Sequence, residues 1–157
     1  MRTVLAVALI TALTISSAIA QDMAQDIAIT PNGATPSAIG TPDQFTGQAI
    51  ITPLFPATEE TRATTGEVTF APGARTAWHT HPAGQLLIVT SGKGWVQQEG
   101  KARQEMVAGD AVWIPAGVKH WHGATDKAAM RHIAVSYMRE GKNVDWLELV
   151  TDEQYRQ

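Results

Sequence analysis

The residues best suited to chemistry in this sequence are five histidines: His79, His81, His120, His122 and His132. Four of them form two His-x-His pairs. On a β-strand, residues i and i+2 point to the same face, so each pair aims two imidazoles in one direction. One such pair carries little weight. Two pairs on separate strands carry much more, because scattered core histidines have no reason to adopt the spacing. Imidazole titrates near neutrality and binds divalent metals, so proton transfer and metal chemistry are both open to such a cluster. Gln85 follows His81 closely, and Pro82 and Gly84 between them exclude a helix. The chain must turn there and start a new strand, which brings Gln85 back towards the His79/His81 face. The chain has no Cys, so disulfides, cysteine zinc sites, iron–sulfur clusters and a thiol nucleophile are excluded. Any metal must be held by nitrogen and oxygen.

The elements that must position these side chains read as β. The chain has 157 residues, enough for one domain, and is 44% hydrophobic and 17% charged, which suits a packed core. Short apolar runs lie between Gly- and Pro-containing turns from Phe45 onward. They predict strands at Gln48–Thr52, Thr65–Phe70, Ala77–Thr80, Gln85–Thr90, Lys93–Gln98, Arg103–Val107, Ala111–Ile114, Lys119–Gly123 and Arg131–Met138. Gly92 is expected to close a hairpin after the Gln85 strand. Only Asp145–Gln157 could form a short helix. Many short antiparallel strands make an all-β sandwich or small barrel.

The start of the chain reads differently. Arg2 precedes an uncharged apolar run, Thr3 to Ala20, that ends in Ala18-Ile19-Ala20. That is the pattern of a cleaved signal peptide, residues 1–20. The alternative is a membrane anchor, but the run is short and lacks a basic stop. The expectation is therefore export to the periplasm or beyond, without stable membrane insertion. Residues 21–44 hold Pro31, Gly33, Pro36, Gly40 and Pro42 and read as a flexible arm with one short strand. The barrel domain is 45–157. With 12 basic and 15 acidic residues and no basic block, the chain has no surface for nucleic acid. A small molecule is the expected partner.

Two motifs bring the histidines into a known frame. Gly73-x5-His79-x-His81-x3-Gln85-x6-Gly92 resembles the first cupin motif, and Gly109-x5-Pro115-x-Gly117-x2-His120 resembles the second. The resemblance implies a double-stranded β-helix, or jelly-roll, barrel with a metal held by His79, His81, Gln85 and His120. Two positions depart from the pattern. Gln85 replaces the usual Glu, and Ala124 stands where an Asn usually closes the second motif. The amide oxygen of Gln85 can still bind a hard cation; the alternative is that it only hydrogen-bonds.

The segments Ala74–Pro82, Lys119–Ala124 and Val144–Arg156 are similar to bacterial manganese cupins, some of which are (R)-selective hydroxynitrile lyases. The similarity spans about residues 43–156. It implies Mn2+, whereas nitrogen and oxygen ligands alone admit Fe2+, Zn2+, Ni2+ or Co2+ as well. It also implies an active-site role for His132. Four neutral ligands leave a divalent metal its full charge and make it a strong Lewis acid. His132 or His122 then serves as general base on a cyanohydrin hydroxyl. Other metal enzymes of the same barrel (a dioxygenase, isomerase or decarboxylase) and a non-catalytic ligand-binding barrel are the competing readings.

Strand alternation sorts the remaining candidates. Ala134 and Ser136 share the face of His132, and with Gly66 and Val68 on an earlier strand they predict space for a substrate. His122 shares the face of His120 and should point inward. Trp78 and Trp121 alternate with the histidines and should face away, into outer packing or a subunit interface. Trp113 reads as sheet packing. Arg75 suits a salt bridge or, less simply, an anionic substrate. The exposed tryptophans suit a homo-oligomer, a dimer or tetramer.

Overall fold

The computed structural model describes residues 26–157. The expected signal peptide lies outside the described residues. Among the described residues, twelve strands run in chain order: β1 (Ala38–Ile39), β2 (Phe45–Thr46), β3 (Ala49–Phe55), β4 (Ala63–Phe70), β5 (Arg75–Thr76), β6 (His79–Thr80), β7 (Gln85–Gln98), β8 (Gln104–Val107), β9 (Ala111–Ile114), β10 (His120–Ala124), β11 (Met130–Tyr137) and β12 (Asp145–Trp146). One short helix follows, α1 (Asp152–Arg156). All the strand pairs are antiparallel, and the sheet curls on itself.

β7 makes the curl. Its first half pairs with β11 and β9, and its second half pairs with β10 and β8. This corrects the predicted hairpin at Gly92, because Gln85–Thr90 and Lys93–Gln98 belong to one strand of 14 residues. Gly92 has φ 75°, and a Cβ there would lie 1.9 Å from the Ala129 carbonyl oxygen. The glycine lets the strand bend with the Ala129–Met130 segment packed close beside it, instead of reversing it. Opposite the bend, the β11 register shifts between Arg131 and His132.

Two further differences are small. The run 77–80 yields only β6, with His81 just beyond it and β5 before it. The tail is not one helix: Asp145–Trp146 pairs with β6, and only Asp152–Arg156 is helical. The Thr151 side chain accepts from Gln154 N–H while the Gln154 side chain accepts from Thr151 N–H, a capping box that starts the helix there. In the arm, β1 pairs with β3 through Ala38↔Ile51.

The interior packs Phe45, Val68, Phe70, Leu87, Val89 and Met130. A second cluster of Trp78, Trp121, Val150 and Tyr155 lies beneath α1. Trp78 and Trp121 do face away from the histidines, into this packing. Arg75 is buried there too. It donates to Val150 O and to Asp152 Oδ1, the latter at 2.7 Å, and stacks 4.6 Å from the Tyr155 ring centre. Its charge is spent on holding the C-terminal segment.

Candidate metal centre

His79 and His120 face each other across the β6–β10 pair, with ring centres 4.1 Å apart. His122 lies one pleat further along β10, 5.3 Å from His79. His81, at the end of β6, sits 5.1 Å from His79 and 5.5 Å from His120. His132 enters from β11, 4.9 Å from His122. All five rings are buried. The fold thus gathers onto one patch every histidine that the sequence singled out.

Their hydrogen bonds divide them into two groups. The Nδ1 atoms of His79, His120 and His81 meet the carbonyl oxygens of Ala77 (2.9 Å), Val118 (2.9 Å) and Asn143 (2.5 Å). A carbonyl only accepts, so each of these Nδ1 atoms carries the proton and each Nε2 is a bare lone pair. His122 Nδ1 and His132 Nε2 instead meet each other at 3.3 Å. Gln85, at the start of β7, donates from Nε2 to Ser136 Oγ at 3.0 Å. Its Oε1 is therefore the free end.

Several buried atoms are left without a partner: His81 Nε2, His120 Nε2, His122 Nε2, His132 Nδ1 and Gln85 Oε1. Each would cost about 1–3 kcal/mol if nothing satisfied it. The lone pairs of His81 Nε2, His120 Nε2 and Gln85 Oε1 are what a divalent cation satisfies, so these residues fit a metal. By distance alone, the ligand atoms of His79, His120 and His122 lie within 4.8 Å of one another. The proton positions favour a different third histidine. His81 is anchored through Nδ1–H to a carbonyl, the arrangement usual for a metal-bound imidazole, whereas Nδ1 of His122 is engaged with another ring.

Burial lowers the pKa of all five histidines, with neighbouring imidazoles adding to the effect at His79, His120 and His122. His120 and His132 are pushed down to about 4. At His81 the Asn143 carbonyl and the Gln85 amide oppose the shift in part. At neutral pH the rings are uncharged, as ligands and bases must be.

The cluster opens on a cavity of about 530 Å³. Gly66, Val68, Ala134 and Ser136 line it, together with His79, His81, Gln85, His122 and His132. Phe45, Phe70 and Trp146 supply aromatic wall. Among the described residues, no Lys, Arg, Asp or Glu lines it. The sequence reading missed Thr64, Asn143 and the lining residues of the arm, Ala38–Thr41. Nothing local marks Thr64 or Asn143, and the arm reaches the cavity only because β1 adds to the sheet edge.

The cupin domain family matches residues 66–136. An (R)-mandelonitrile lyase from Granulicella tundricola is 55% identical over 124 residues, covering 79% of this chain and 95% of that protein. The chain belongs to the cupin family. Among solved structures, this cupin superposes on a cupin-like protein from Thermotoga maritima with a TM-score of 0.72 and 42% identity. That match covers 76% of this chain and 90% of the other. A polyketide cyclase from Streptomyces resistomycificus, at TM-score 0.65 and 16% identity over 83% and 92% of the two chains, shares the fold.

Proposed function

We propose that this cupin is a metal-dependent carbon–carbon lyase that cleaves and forms cyanohydrins with (R) selectivity. The observation that carries the reading is an uncharged cluster of histidines opening on a cavity without any charged lining residue, in a chain 55% identical to a protein named (R)-mandelonitrile lyase. A neutral aryl cyanohydrin suits that cavity.

His79, His81, His120 and Gln85 Oε1 would hold the metal, with Mn2+ proposed and Fe2+, Zn2+, Ni2+ and Co2+ as the alternatives. When bound, a divalent metal supplies Lewis acidity and a charge that four neutral donors leave uncompensated. The protein does the rest. The aromatic wall takes the aryl group and excludes water. His122 Nε2, buried and without a protein partner, takes the hydroxyl proton as the carbonyl forms. Its Nδ1–H donates to His132 Nε2, which disperses the charge gained by His122. The C–CN bond breaks, and the proton passes from His122 to cyanide, giving an aldehyde and hydrogen cyanide.

The same reading has residues 1–20 directing export and the barrel acting as a homo-oligomer, which the mature N-terminus and the mass in solution would report.

The test is to purify the chain without chelators, measure bound metals, and follow mandelonitrile cleavage beside His81→Ala. About one manganese per chain, with cleavage lost on chelation and in the variant, is the expected result. Cleavage that survives removal of all metal would overturn it.

A further inference from the structure

Two of the imidazoles assigned to the metal are oriented by the chain beside them, and the third is not. His79 is held by the carbonyl of Ala77 and His120 by that of Val118, each two residues back. His81 is held by the carbonyl of Asn143, which approaches from beyond β11. Before Asn143 the chain makes a tight turn. Arg139 and Lys142 exchange backbone hydrogen bonds of 2.9 and 3.0 Å, and Glu140 and Gly141 take φ of 53° and 78°. The Asn143 side chain then donates from Nδ2 to Thr64 Oγ1 on β4, at 2.8 Å. Both residues line the cavity.

We propose that the Asn143 side chain is a positioning residue. By pinning its loop to Thr64, it holds the Asn143 carbonyl where that oxygen takes the Nδ1 proton of His81. His81 Nε2 is then presented to the cavity as a bare lone pair. The proposal rests on reading His81 as a metal ligand. An imidazole held in the other tautomer would offer N–H to a cation and could not bind it. The tautomers of His79 and His120 need no such help, because a carbonyl two residues away moves with the ring. His81 is thus the ligand that a distant side chain controls.

The test uses Asn143→Ala, Thr64→Val and the conservative Thr64→Ser. Nitrogen-15 NMR of the metal-free protein reads the His81 tautomer, and competition with a chelator reads retention of Mn2+. Asn143→Ala and Thr64→Val are expected to mix the His81 tautomers and to weaken Mn2+ retention about 10–100-fold. Thr64→Ser, which keeps the hydroxyl, is expected to behave as wild type. The double variant Asn143→Ala/Thr64→Val should be no worse than either single change, because both break the same bond. An unchanged tautomer in both disruptive variants would overturn the proposal, even if their melting temperatures fell. A mixed tautomer with undiminished Mn2+ retention would support the clamp and remove His81 from the ligand set, so the two readings fail separately.

Discussion

His122 Nδ1 and His132 Nε2 lie 3.3 Å apart in a fully buried pair, and only one proton can sit between them. The outer nitrogens, His122 Nε2 and His132 Nδ1, have no protein partner. Whichever ring donates, the tautomer of one dictates the tautomer of the other. The two histidines therefore act as one unit. His122→Ala and His132→Ala are each expected to lower kcat for mandelonitrile cleavage, by about 10²–10⁴-fold for His122 and less for His132. The double variant should fall little below His122→Ala alone. Steady-state kinetics beside metal analysis checks this, since both variants should keep their metal.

Ser136 decides which end of the Gln85 amide faces the histidines. With Ser136 Oγ taking the N–H, Oε1 is left as a donor to a cation. Ser136→Ala should let the amide turn over and weaken Mn2+ retention by about tenfold at most, on the scale of one hydrogen bond. Gln85→Glu should do the reverse. An added negative charge tightens Mn2+ and removes part of its Lewis acidity, so chelator resistance rises while kcat falls. A parallel loss of both would show that Gln85 does not face the metal.

The buried histidines make the metal-free protein sensitive to acid. Burial disfavours the charged ring and holds His120 and His132 down to about 4, below the ordinary imidazole value of about 6.5. Between those values the unfolded chain binds protons that the folded chain refuses. Stability is therefore fully present above about pH 6.5 and is lost as the pH falls towards 4. Each ring contributes about 3 kcal/mol to the change at 1.36 kcal/mol per pH unit. Urea unfolding of the metal-free protein at pH 7 and pH 4.5 should show the midpoint falling. A midpoint that holds steady would mean that these rings are hydrated in solution.

Gly92 is a test of the fold and not of the site. Gly92→Ala adds a methyl into the Ala129 carbonyl at a backbone angle that alanine resists. The expected cost is about 3 kcal/mol or more, seen as a lower urea midpoint. Gly100→Ala, with a similar φ of 75° but open space around its Cβ, should cost about 1 kcal/mol. The gap between the two reports how closely the Ala129 segment packs against β7.

Much of this was legible because it is local. The alternation of apolar and polar residues marks the strands, and the spacing His79-x-His81 and His120-x-His122 puts each pair on one face by the pleat alone. The inward set Gly66, Val68, Ala134 and Ser136 follows from the same period of two, and all four line the cavity. The bend at Gly92 was not legible. A glycine between two apolar runs reads as a turn, and only the pairing of β10 and β11 alongside shows that the strand continues. The extra strands β2 and β12 are two residues long, too short for any periodic pattern, and they exist because a neighbouring edge pairs with them. The same division runs through the site. Sequence alone determined which side chains could meet, since residue type and pleat are properties of the chain itself. Tertiary structure decided how they meet: the proton on His81 is set by Asn143, the free end of Gln85 by Ser136, and the pairing of His122 with His132 by the packing of β10 and β11. Hydrogen bonds between distant segments have no signature in either segment, because each depends on where the other has been carried by the fold.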